Sequence, residues 1–83
     1  MKLSPIKELL VDTYTNGELD SYGLEAMEYL IMIVDYFITD RLPFNKENVL
    51  DFAEELSVTI EITKCYQLYA ILCQLQSIRW ENV

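Results

Sequence analysis

The sequence predicts an all-α protein, a compact four-helix bundle with two short and two long helices. Three observations carry that expectation. Glycine and proline are scarce, two of each in 83 residues, which favours regular elements joined by short connections. Apolar residues make up 52% of the chain and recur at three- and four-residue intervals, the period of a helix. The few punctuating residues fall where helices start and stop. A chain of this length forms one domain, 1–83, and buries roughly 60–65% of the surface its unfolded form exposes.

Helix one is predicted over 5–15. Ser4 serves as N-cap and Pro5 as the first helical residue. Ile6, Leu9, Leu10 and Tyr14 form its apolar face, and Asn16-Gly17 ends it with Gly17 in a left-handed conformation. Helix two is predicted over 21–41, with Asp20 as N-cap and Leu19 and Leu24 placed as a hydrophobic staple. It stops before Leu42-Pro43. Helix three is predicted over 46–56, with Asn45 as N-cap, Phe44 and Val49 as a second staple, and Val49, Phe52, Ala53 and Leu56 buried. Helix four is predicted over 60–80. At its start Val58, Ile60 and Ile62 alternate with Thr59, Glu61 and Thr63, which is a strand period. A lone strand without a partner is unstable, so this stretch is assigned to helix four, with a strand as the alternative.

Fourteen acids stand against six bases, a net charge of −8, and there is no histidine. Such a chain repels phosphate backbones and anionic lipid heads. Direct nucleic-acid binding and membrane association are therefore not expected, whereas a basic protein surface is a suitable partner. No base lies between Lys7 and Arg41, while Glu8, Asp12, Glu18, Asp20, Glu25, Glu28, Asp35 and Asp40 all do. Cys65 and Cys73, placed in one helix, are separated by about 12 Å along its axis. A disulfide needs Cα atoms within about 7 Å, so both read as reduced core residues in the cytoplasm. The start MKLSPIKELL lacks a signal-peptide pattern, and the run YLIMIV at 29–34 is too short to span a bilayer.

Two stretches imitate functional motifs. DTYTNGELDSYG, residues 12–23, has the outline of a calcium loop. However, Tyr14 and Gly23 occupy the third and twelfth positions, where an oxygen ligand and a bidentate glutamate are required. It reads instead as a connection between two helices. FAEELSVTIEITKCYQ, residues 52–67, has the outline of a helix-turn-helix DNA reader. Its second half offers only Lys64 as a base, too little for the phosphate contacts that dominate DNA affinity; the plain reading is two packed helices. No catalytic constellation is visible: no histidine, no phosphate-binding glycine loop and no Glu-x-x-His pair. The protein is not expected to be an enzyme or to need a cofactor or metal.

Helix two carries the most informative pattern. At 100° per residue, Leu24, Ala26, Met27, Leu30, Ile31, Ile33, Val34, Phe37 and Ile38 cover about half its circumference, so it belongs at the centre of the bundle. The remaining surface divides into an acidic stripe of Glu25, Glu28 and Asp35 with Met32, and a row of Tyr22, Tyr29 and Tyr36. Tyrosines supply contact area with a hydrogen-bonding tip, and carboxylates steer a basic partner. These seven residues are the candidate partner-binding site. Asp51, Glu54 and Glu55 on helix three form a second acidic patch. Helix four is apolar nearly all round, which makes a homodimer through it, with Trp80 as a contact, the alternative.

Small size, acidity and cofactor independence together resemble the general profile of bacterial immunity proteins and of phage-encoded inhibitors of host nucleases. The likeness is of type, not of motif. It implies an inhibitor that neutralises a basic, nucleic-acid-handling protein, such as a nuclease, by presenting carboxylates where phosphates would go. The alternative is a self-associating helical adaptor.

Overall fold

Local signals start α2 and α3 where the sequence places them. In the computed structural model, which describes residues 2–81, α1 spans Ser4–Asn16, α2 Ser21–Ile38, α3 Lys46–Thr63 and α4 Tyr69–Gln76. A 3₁₀ turn at Tyr66–Leu68 leads into α4. The protein is an all-α four-helix bundle, with no strand among the described residues. The Asp20 carboxylate accepts from the Gly23 N–H at 2.8 Å, and the Asn45 side chain accepts from the Asn48 N–H at 2.9 Å. Each satisfies one of the orphan donors at a helix start. At α1 the first helical residue is Ser4 itself, Leu3 stands at the cap position, and no side chain caps it.

Helix ends are less legible. α2 stops at Ile38, three residues before the predicted end. Asp40 adopts a left-handed φ of 60°, and the Arg41 N–H donates to the Tyr36 carbonyl at 2.9 Å. That is a Schellman stop built without glycine. Gly17, by contrast, is extended (φ −77°, ψ 152°) rather than left-handed. Its requirement is steric, since a Cβ there would lie 2.5 Å from the Thr13 carbonyl oxygen.

The largest departure concerns 57–65. α3 continues through Thr63, so the helix expected to be short has 18 residues and α4 has only 8. The strand-like alternation is helical, and it belongs to α3 rather than to the start of helix four. The break comes at Lys64, left-handed with φ 60° and its N–H donating to the Ile60 carbonyl at 2.8 Å. Thr59 and Thr63 satisfy their hydroxyls on the carbonyls of Glu55 and Thr59, which lets polar β-branched residues sit inside a helix. One helix therefore runs unbroken through Ser57 to Thr63, where a helix-turn-helix, or two packed helices, would have turned. The two cysteines are likewise not in one helix. Cys65 is buried in the turn before α4, and Cys73 is exposed on α4; both are free.

Consecutive helices pack on one another, α1 on α2, α2 on α3 and α3 on α4. The core draws Ile6 and Leu10 from α1, Met27, Leu30, Val34 and Phe37 from α2, Val49, Phe52, Leu56 and Ile60 from α3, and Ile71, Leu72 and Leu75 from α4. Phe37 meets Phe44 and Phe52 edge-on at centroid distances of 5.2 and 6.1 Å. Phe44 in turn lies 5.8 Å from Trp80. These aromatic contacts join the α2–α3 connection to the segment after α4. No helix of the described residues is long and apolar enough to cross a membrane.

Candidate functional site: the exposed face of the central helix

α2 packs between α1 and α3 through its buried arc, and its remaining arc faces solvent. Tyr22 is 75% exposed, and Glu25, Glu28, Tyr29, Met32 and Tyr36 are exposed as well; Asp35 is half-buried. All seven candidate residues thus reach the surface. The grooves on either side divide them: Glu28, Met32, Asp35 and Tyr36 line the α1 side, and Tyr29 lines the α3 side.

On the α1 side the carboxylates meet partners. Lys7 Nζ lies 2.6 Å from Asp35 Oδ1, and the Tyr14 hydroxyl donates to Glu28 Oε1 at 3.4 Å. Both contacts follow from the antiparallel register of α1 on α2. Tyr14, Glu28 and Asp35 line one shallow groove with Met32, Tyr36 and Arg41. The Arg41 guanidinium lies 6.0 Å from the centre of the Tyr36 ring. The stripe is therefore polarised. Its Asp35–Tyr36 end is partly neutralised by Lys7 and Arg41, whereas its Glu25 end carries no ion pair among the described residues. The base-free run of sequence does not become a base-free surface.

On the α3 side a groove of about 430 Å³ is lined by Tyr29 and Ile33 from α2 and by Asp51, Glu54 and Glu55 from α3. The fold brings the second acidic patch to the edge of the tyrosine row. That juxtaposition is absent from either helix alone and depends on how α2 and α3 pack.

Sequence reasoning missed a further cluster beyond α3. The rings of Tyr66 and Tyr69 are stacked, 5° from parallel with centroids 6.1 Å apart. The Tyr69 hydroxyl donates to Glu61 Oε1 at 3.0 Å. This hydrogen bond to a carboxylate raises the Tyr69 pKa above its ordinary 10.0, aided by desolvation and by the charges of Glu61 and Tyr66. The cluster forms only when α3 runs on to Thr63, so ending that helix at Leu56 hid it.

The calcium-like stretch is otherwise engaged. Residues 12–16 lie within α1, the Asp12 carboxylate accepts from Asn16 Nδ2 at 2.7 Å, and Asp20 caps α2. Trp80, the candidate dimer contact, is half-buried and packs against the core and Phe44. On α4 the apolar Ile71, Leu72 and Leu75 are buried within the protomer. No family model, characterised protein or solved structure matches the chain.

Proposed function

We propose that this chain is a stoichiometric, non-catalytic inhibitor that neutralises a basic, nucleic-acid-handling protein in the cytoplasm. The carrying observation is the meeting of two acidic stretches at the exposed tyrosine row of α2. Glu25 and Glu28 stand on the helix itself, and Asp51, Glu54 and Glu55 flank it across the groove beside Tyr29. Tyr22, Tyr29 and Met32 supply the apolar contact area that charge alone lacks. Carboxylates spread over two neighbouring helices offer a basic cleft the repeated negative charge it meets along a phosphate backbone. A net charge of −8 is at the upper end of what solubility asks of a small domain.

The pairing of Asp35 with Lys7 selects the variants to use. Reversing Asp35 would break the Lys7 ion pair between α1 and α2, whereas Glu28 gives up only a 3.4 Å hydrogen bond from the Tyr14 hydroxyl, so Glu25→Lys and Glu28→Lys are the cleaner probes. Affinity capture from the source cell, read by mass spectrometry, is expected to yield a basic nuclease or other nucleic-acid enzyme. Its release should rise steeply with salt, and its activity should titrate to zero near one equivalent. The double reversal should abolish capture while leaving the helical circular dichroism intact. Equal capture by the double variant, or prey without a basic surface, would refute this reading.

A further inference from the structure

The solvent face of α3 carries features that the bundle does not use. On a helix, residues two apart lie 200° apart, so the alternation that buries Ile60 turns Val58 and Ile62 outward. They are 51% and 56% exposed, and Leu50, two turns earlier, is 54% exposed. β-branched side chains on the exposed side of a helix lower its propensity and here make no compensating core contact. Asp51, Glu54, Glu55 and Glu61 share this solvent-facing side, all exposed and none in an ion pair among the described residues. Beyond the turn at Lys64 the face ends at the stacked Tyr66 and Tyr69, tied to it by the Tyr69–Glu61 hydrogen bond.

We propose that this crest of α3, from Glu54 to Tyr69, is a second docking surface whose occupant is a basic amphipathic segment of a partner protein. Apolar side chains of the segment rest on Val58 and Ile62. An arginine lies on the tyrosine rings with its guanidinium directed to Glu61. Planar guanidinium suits this place because it stacks on aromatic faces and pairs with carboxylates at once. The tyrosine hydroxyl already holds one Glu61 oxygen in position, so less ordering remains to be done on binding. Charge selects the occupant: a second copy of the chain would set Glu54, Glu55 and Glu61 against the same three carboxylates, with Lys64 as the one base between them. The crest shares Glu54 and Glu55 with the groove beside Tyr29, whereas Val58, Glu61, Ile62, Tyr66 and Tyr69 lie outside it and carry this proposal whether or not α2 engages a partner.

The test uses the full chain and a synthetic amphipathic helix with arginine and leucine on adjoining faces, followed by amide chemical shifts. The largest shifts are expected at Val58, Glu61, Ile62, Tyr66 and Tyr69. The Val58→Lys/Ile62→Lys variant, altered only at exposed positions, should bind at least about tenfold more weakly; Glu28→Lys should bind unchanged. Glu61→Gln should weaken an arginine peptide more than its lysine counterpart. Shifts spread evenly over all the acidic helices would overturn the proposal in favour of unspecific charge attraction. Shifts confined to α2, or a dimer in sedimentation that Val58→Lys dissolves, would overturn it too.

Discussion

Lys64 offers a decisive test of where α3 ends, and with it of the surface that α3 presents. Its backbone is left-handed, φ 60° and ψ 23°, a conformation that costs a residue with a Cβ about 1–2 kcal/mol. Replacing Lys64 by glycine and, separately, by alanine removes the same charge and stem, so the difference between the two variants isolates the backbone. Glycine escapes the left-handed cost, but its freer unfolded chain returns about 0.4–1 kcal/mol of that gain. The net expectation is that Lys64→Gly is more stable than Lys64→Ala by about 1 kcal/mol, a Tm difference of roughly 4–8 °C for a domain this size. Were the helix break at Ser57, Lys64 would lie inside helix four. Alanine would then be the more stable by about 0.8–1.0 kcal/mol. Thermal and urea unfolding followed by circular dichroism distinguishes the two, since the sign itself reverses. A more stable alanine variant would refute the extension of α3 through Thr63, and the docking surface built on it.

Other expectations are more local. Gly17→Ala should lower the urea midpoint by the equivalent of about 1–3 kcal/mol, the usual cost of forced overpacking, because its Cβ would press on the Thr13 carbonyl. In the native protein a thiol reagent should titrate Cys73 quickly and Cys65 only after unfolding, as one is exposed and the other buried. Glu61→Gln should bring the Tyr69 ionisation down towards 10.0, read from tyrosinate absorbance against a Tyr66→Phe background. The sign follows from the raised folded-state pKa: the Tyr69–Glu61 bond contributes below the ordinary tyrosine pKa and is lost as pH rises through the raised value.

The starts of α2 and α3 were legible because a cap is a local event. Asp20 and Asn45 each bond an N–H three residues on, and the staples Leu19–Leu24 and Phe44–Val49 lie within the same few residues. The ends were harder. Asp40 and Lys64 take left-handed conformations usually signalled by glycine, and the glycine that was present, Gly17, serves a close approach instead. The period-two run of Val58, Ile60 and Ile62 obscured a continuous helix because only one of its three apolar residues, Ile60, faces the core. For the candidate site, the exposure of the α2 face could be read from helical period alone. The Lys7–Asp35 pair could not, nor could the groove joining Tyr29 to Asp51 and Glu55, because each depends on the register of two helices against one another.

The succession of packing, each helix against the next along the chain, also bears on how quickly the protein assembles. Contacts between neighbours in sequence close small loops, and proteins dominated by them fold in microseconds to milliseconds. The inhibitor proposed above, which must meet its target one to one, would be effective only once enough folded copies exist. A nearest-neighbour helical chain reaches that state soon after synthesis, so its supply would follow the rate at which it is made rather than the rate at which it folds.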